Sequence, residues 1–259
     1  MEVNENPVIY PDLAGQVAVV TGGSRGIGAA TASALAANRV AVAVVGRDEQ
    51  ALAEVTGSIE RRGGRAIWLA ADCTVPAEVD RLAAAVADQL GPADIVAAFA
   101  GGNGMPVPTE QETAEHWREV VDHDLTSSFL TVRAFLPPMV ERHRGAIVTM
   151  SSAAARQAAG SAAAYAAAKA GVIAFTRHVA GEFAGRGIRA NCVAPSATEN
   201  DRMRAWMTKE ERGDLGRSFP LGRLGQPTDV AAATLFLASE ASSWITGATL
   251  DIAGGKIML

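Results

Sequence analysis

The sequence predicts an α/β protein built as a single doubly wound parallel sheet with helices on both faces. Three observations lead there. Short apolar, β-rich runs alternate with longer amphipathic or Ala-rich stretches from Gln16 to Ile252, the rhythm of strands joined by crossover helices. The first run, Gln16 to Thr21, leads straight into a glycine-rich turn, Gly22-Gly-Ser-Arg-Gly-Ile-Gly28. With 259 residues and 49% hydrophobic composition, the chain can bury one large core, and no repeat, linker or low-complexity tail divides it. The expected organisation is an N-terminal arm over 1–12 and one domain over 13–259.

Composition excludes several classes. A net charge of −5 without a long basic run gives nucleic acid or an anionic membrane nothing to bind. Cys73 and Cys192 lack metal-type spacing and read as a reduced, intracellular pair. Residues 1–12 are polar and acidic, unlike a signal peptide, and no apolar run reaches ~18 residues. A cytoplasmic protein is expected. His116, His123, His143 and His178 are scattered over expected helices and read as solvated or satisfied imidazoles, so no metal is expected.

In chain order, the glycine-rich turn opens a helix to about Asn38. Glycines let the backbone approach a phosphate, and the helix N-terminus offers unpaired N–H groups, so this is nucleotide-binding geometry of the Rossmann type. The next strand, Val40 to Val45, ends at Gly46-Arg47-Asp48. A carboxylate here holds a ribose 2′-OH, whereas arginine accommodates a 2′-phosphate. Arg47, with Arg25 in the turn nearby, points to NADP(H); Asp48 keeps NAD(H) open. Helix, strand, helix and strand follow over 49–62, 65–70, 76–90 and 94–100. Asp72 lies past the third strand, placed to accept from an adenine amino group, and Cys73 reads as a small filler.

Gly101 to Pro108 is a flexible segment past a strand's carboxyl end, where ligands bind in such sheets. Thr109 with Glu112 resembles a capping box for a long helix to about Phe135. A buried strand then ends at Ser152, and an Ala-rich helix to about Gly185 carries Tyr165 and Lys169 four residues apart, on one face. An ammonium held beside a phenol favours the phenolate, which suits general acid–base work. Ile188 to Val193 is another strand. Residues 196–219 break the rhythm; Met203, Trp206 and Met207 form an i, i+3, i+4 apolar stripe that reads either as helix packing or as a lid over an apolar substrate. A helix from Gln226 to Ala238 and a strand from Ala248 to Ile252 finish the sheet.

These residues together resemble the short-chain dehydrogenase/reductase family, from about Leu13 to Gly255. Thr21-Gly-Gly-Ser-Arg-Gly-Ile-Gly28 is similar to its cofactor signature, Ser152, Tyr165 and Lys169 match its catalytic set in both spacings, and Asn191 to Pro195 resembles its nicotinamide segment. Pro220 to Pro227 with Ile245-Thr-Gly247 resembles the acyl-carrier ketoreductase relatives. The resemblance implies that Tyr165 protonates a carbonyl oxygen, Lys169 tunes the phenol and binds the nicotinamide ribose, and Ser152 orients the substrate, with hydride supplied by the nicotinamide. It implies cofactor contacts from Thr21, Gly22, Ser24, Arg25, Gly26, Ile27 and Gly28, from Arg47, Asp72, Cys73, Ala100 and Gly101, and from Tyr165, Lys169, Pro195, Ser196 and Thr198. Substrate contacts are expected from Ser152, Asn103, Met203 and Trp206.

The chain also departs from the family pattern. Ala98-Phe99-Ala100-Gly101 replaces Asn-Asn-Ala-Gly, so Phe99 is expected to fill by packing. The fourth catalytic position, usually Asn, is Asp124. Ser196 replaces Gly, Asn200 stands where a Thr near the carboxamide is usual, and Ala253 replaces an Asp. The resulting expectation is an NADP(H)-dependent ketoreductase of a polyketide-like or 3-oxoacyl ketone. The alternatives are an NAD(H)-dependent secondary-alcohol dehydrogenase and a non-catalytic nucleotide sensor. A homo-oligomer, tetramer or dimer, is expected by resemblance.

Overall fold

The computed structural model describes residues 8–102, 106–157 and 161–258. Its seven strands are β1 (Val17–Thr21), β2 (Ala41–Gly46), β3 (Arg65–Ala70), β4 (Ile95–Ala98), β5 (Gly145–Met150), β6 (Ile188–Pro195) and β7 (Thr249–Ile252). They pair in the order β3-β2-β1-β4-β5-β6-β7, and every pairing is parallel. The helices are α1 (Gly26–Ala37), α2 (Glu49–Arg61), α3 (Pro76–Gln89), α4 (Ala114–Val121), α5 (Ser127–Arg142), α6 (Ala163–Phe183), α7 (Asp201–Trp206), α8 (Lys209–Arg217) and α9 (Pro227–Ala238).

Why the inner strands are almost wholly apolar follows from having helices on both faces. Side chains alternate along a strand, so Ala18, Val20, Val42 and Val44 join Leu35, Leu52, Val230 and Leu235 on the α1/α2/α9 face. Val17, Val19, Ala43 and Val45 join Leu82, Val86, Leu130, Met139 and Val179 on the α3/α5/α6 face. Each fully buried Val or Leu contributes roughly 1.5–3 kcal/mol. The strand order reverses between β1 and β4, and such a switch point opens a crevice at the carboxyl ends of the strands.

The N-terminal arm is docked over its described part. Asn38 accepts from the Tyr10 N–H and donates to the Val8 carbonyl, and Leu13 is fully buried.

Two expected elements differ. Thr109 begins a short 3-10 turn, not a capped helix; Glu112 instead meets the His116 ring, and Thr113 caps α4 by accepting from the His116 N–H. The long helix is divided by a π-turn over Asp122–Thr126 and then runs to Arg142. Beyond β6, Met207 lies outside α7 in extended conformation, so the three-residue stripe is cut short. Trp206 is 66% exposed and stacks against the Arg202 guanidinium at 5.0 Å.

Candidate active site

The turn after β1 is built by steric exclusion. A Cβ on Gly28 would lie 2.1 Å from the Gly22 carbonyl oxygen, and one on Gly22 would lie 2.7 Å from the Phe99 oxygen. Gly22 and Gly26 also take positive φ, +66° and +54°, which side chains disfavour. The start of α1 can therefore close on the end of β1. Thr21 does not line the crevice: it is fully buried, and its hydroxyl accepts from the Phe99 and Ala100 N–H groups, both at 3.0 Å. These bonds tie the exit of β1 to the exit of β4. Phe99 is 2% exposed in the core, as its packing role requires.

A cavity of about 370 Å³ opens above these strand ends, lined among others by Gly22, Ser24, Arg25, Arg47, Asp48, Asp72, Cys73, Ala100 and Gly101. Arg25 and Arg47 thus share one corner. Arg25 is also bound to Asp48, Nη2 to Oδ2 at 2.6 Å, while the other oxygen of Asp48 caps α2 through the Ala51 N–H. One oxygen of Asp72 accepts from both the N–H and hydroxyl of Thr74, which holds its carboxyl below the usual carboxylate range. Burial pushes the Cys73 thiol up to about 11, consistent with an inert filler. A closely approached glycine turn, a free helix N-terminus, Arg25 in that turn and Arg47 at the next strand end form a donor set that fits a dinucleotide with its phosphates.

Of the expected catalytic residues, Ser152 follows β5, and Tyr165 and Lys169 lie together on α6, with Lys169 reaching the end of β5. The Ser152 oxygen accepts from the Ala154 N–H at 3.2 Å, leaving its proton to donate. Ser151 donates to the Lys169 carbonyl at 2.7 Å, tying the strand exit to α6. Lys169 Nζ lies 5.7 Å from the centre of the Tyr165 ring. The ammonium is 2% exposed; it donates to the Met150 carbonyl at 3.1 Å and to Asp124 Oδ1 at 2.9 Å.

The π-turn turns Asp124 fully inward, an irregularity often found at functional sites. Asp124 Oδ1 also accepts from the Gly102 N–H at 2.9 Å. Its Oδ2 is buried without a hydrogen-bond partner among the described residues. A Cβ on Gly101 would lie 2.6 Å from Asp124 Oδ1 and 3.3 Å from Lys169 Nζ, so only glycine admits this ion pair. Burial alone would lower the Lys169 pKa; Asp124, and then Tyr165, outweigh it and the ammonium titrates above its ordinary value.

Other expected positions are placed less directly. Asn103 lies outside the described residues. Pro195 ends β6, the Ser196 N–H donates to the Ile252 carbonyl, and Thr198 donates to the Ser196 carbonyl. Asn200 is the cap of α7: it accepts from the Met203 N–H and donates one amide hydrogen to the Thr198 carbonyl. Sequence reasoning missed Glu199. It meets Arg204 and Arg212 at 3.7 and 3.3 Å and accepts from Gln226 at 3.1 Å, tying α7, α8 and the start of α9 together. Sequence reasoning also missed His123, beside Asp124, which lines the cavity. Among the described residues no group of three or more His, Cys, Asp or Glu could hold a metal ion, and no helix is long and apolar enough to cross a membrane.

Against known proteins, a family model described as enoyl-(acyl carrier protein) reductase matches residues 22–256. The 3-oxoacyl-acyl-carrier-protein reductase FabG of Vibrio cholerae is 35% identical, across 96% of this chain and 100% of that protein. An NADPH-bound short chain oxidoreductase of Pseudomonas aeruginosa PAO1, described as containing an atypical catalytic center, superimposes with a TM-score of 0.92 at 36% identity, covering 96% of this chain and 100% of its own. A 3-oxoacyl-acyl-carrier-protein reductase of Brucella melitensis with bound NAD gives 0.88 at 34% identity, covering 100% and 99%.

Proposed function

The chain belongs to the short-chain dehydrogenase/reductase family of NAD(P)-dependent oxidoreductases, and from that premise we propose that it is an NADP(H)-dependent ketoreductase of an apolar, polyketide-like or 3-oxoacyl ketone, with Tyr165 as the proton donor. The observation that supports this most is the joining of Tyr165 and the buried Lys169 at the end of β5, beside a cavity whose donors suit a dinucleotide. When bound, the nicotinamide supplies the hydride. Ser152 donates its hydroxyl proton in a hydrogen bond to the ketone oxygen and so fixes the carbonyl's direction. As negative charge grows on that oxygen, Tyr165 passes it the phenolic proton, and the nearby ammonium stabilises the phenolate left behind. Lys169 is held for this by the Met150 carbonyl and Asp124. Arg47 and Arg25 read the 2′-phosphate, Asp72 the adenine, and Met203 and Trp206 the apolar end of the substrate.

NAD(H)-dependent oxidation of a secondary alcohol is the second reading. The Arg25–Asp48 pair favours it, because a carboxylate already occupies one of the two arginines and leaves the corner less cationic. Initial rates with NADPH and NADH, over a panel of 3-oxoacyl thioester analogues and cyclic ketones, decide between them. We read the protein as cytoplasmic and homo-oligomeric; Trp117 and Phe129 on α4 and α5 and the 99% exposed Trp244 are apolar surface of the kind that subunits cover.

A further inference from the structure

We propose that Asp124 is a fixed counter-ion that holds down Lys169's pull on the Tyr165 phenol, so that the site keeps its proton to a higher pH than the same site with asparagine. The resemblance noted above leads to an amide at this position; this chain has a carboxylate. Asn and Asp are nearly the same shape, so the exchange alters charge and little else. The carboxylate is not a bystander at the surface: it is fully buried, and its Oδ1 sits 2.9 Å from Lys169 Nζ. Such a pair acts on a third group nearly as a neutral dipole, whereas an unpaired ammonium acts with its full charge.

The surrounding charges leave Asp124 as the dominant partner of the ammonium. Among the described residues, the Met150 carbonyl is the one β5 group that reaches Nζ. From β6 comes the Cys192 thiol, which burial pushes up and keeps protonated. Arg156, in the loop after β5, is itself paired with Asp251 of β7 at 3.1 Å. A second cavity beside Asp124 is lined by His123 and Asp122 of the π-turn, His116 and Glu119 of α4, Arg47 after β2 and Asp72 after β3; α6 contributes Tyr165 and Lys169 themselves. The raised pKa of Lys169 accords with an ammonium that stays charged while the phenol titrates. The buried, unpartnered Oδ2 of Asp124 adds that the carboxylate's second oxygen is not spent on another donor among the described residues.

The chain makes the test direct, because it has only two tyrosines, Tyr10 and Tyr165. In a Tyr10→Phe background, tyrosinate absorbance reports Tyr165 alone, without turnover. Asp124→Asn, which retains an acceptor for the Gly102 N–H, is expected to move that midpoint down by about one pH unit, with an unchanged circular dichroism spectrum. The kinetic consequence rests on the proposed acid role of Tyr165: the alkaline limb of the reduction profile falls by the same amount. A folded Asp124→Asn protein with an unmoved or raised midpoint overturns the proposal. A lowered midpoint without any effect on rate sustains the charge relation and instead counts against Tyr165 as the acid. If Asn does not fold, Asp124→Ser is titrated the same way; loss of the fold in both would make Asp124 a folding residue and overturn the proposal too.

Discussion

Two regions of the molecule are built differently. The first consists of the exits of β1, β2 and β4, strands buried on both faces, where a single Cβ on Gly22, Gly23 or Gly28 of the β1–α1 turn would collide with backbone. The other region, α7 and α8, contains no buried residue except Gly216 and is held by ion pairs that converge on Glu199. Gln226, with Arg204 and Arg212, keeps that carboxyl below its usual range. One region is shaped by backbone sterics and cannot give; the other is fastened by half-buried and exposed side chains rather than by an apolar core and can move. Tyr165 and Lys169 of α6 meet the rigid region at the end of β5, so the function proposed above sets the cofactor against the rigid region and the substrate against the adjustable one.

Substitutions sharpen this contrast, beginning with the chemistry itself. Tyr165→Phe removes the proposed acid at the rigid edge and is expected to lower the rate of ketone reduction by about 10²–10⁴-fold, with NADPH binding, followed by its fluorescence, within a few-fold of wild type. A rate near wild type would remove Tyr165 from the mechanism.

Next come two identical changes with opposite outcomes. Gly28→Ala drives a methyl to 2.1 Å from the Gly22 carbonyl, so the β1–α1 turn must open; NADPH affinity should fall at least ~100-fold and stability by about 1–3 kcal/mol. Gly213→Ala, in α8, meets only the tip of Arg217 at 3.6 Å and should stabilise by roughly 0.5–1 kcal/mol, the ordinary gain for alanine in a helix. Thermal melts and NADPH titrations of both check the contrast, and equal behaviour would dissolve it.

At the ribose corner, Arg47→Ala should cut the preference for NADPH over NADH by about 10-fold or more, the scale of one charge-assisted hydrogen bond. Asp48→Ala releases Arg25 from its 2.6 Å partner and should move the preference the other way. Ratios of kcat/KM with the two cofactors measure both, and an unchanged ratio in each would take the corner out of cofactor choice. The smallest effect is expected on the adjustable side. Trp206→Ala should raise KM for bulky apolar ketones a few-fold while stability stays within ~0.5 kcal/mol, since Trp206 is mostly exposed.

What could be read from sequence follows the same division. Backbone requirements are local: a glycine turn between a strand and a helix, a β-rich run, or a Tyr and Lys four apart each states its own geometry. Hence the parallel sheet with helices on both faces, the Gly22–Gly28 turn and the Tyr165–Lys169 face were legible. The π-turn was not, because its cause is where Asp124 must point, a tertiary demand on an otherwise helical segment. Thr113 was overlooked as a cap because Thr109 and Glu112 offered the familiar spacing, while in the fold Glu112 is taken by His116. Arg25 looked unengaged until the folded chain brought Asp48 to it, 23 residues away. Glu199 has no local signature at all; its partners lie 5, 13 and 27 residues on.

The central claim is that these residues deliver a proton to a ketone oxygen while the bound nicotinamide delivers hydride to its carbon. The most direct measurement is single-turnover reduction of a 3-oxoacyl thioester analogue with NADPH carrying deuterium at the transferable C4 position, comparing wild type with Tyr165→Phe. The expected result is one deuterium on the new carbinol carbon with wild type and loss of that transfer with the variant. NADPH bound without oxidation across the ketone panel, or equal deuterium transfer by both proteins, would contradict the account.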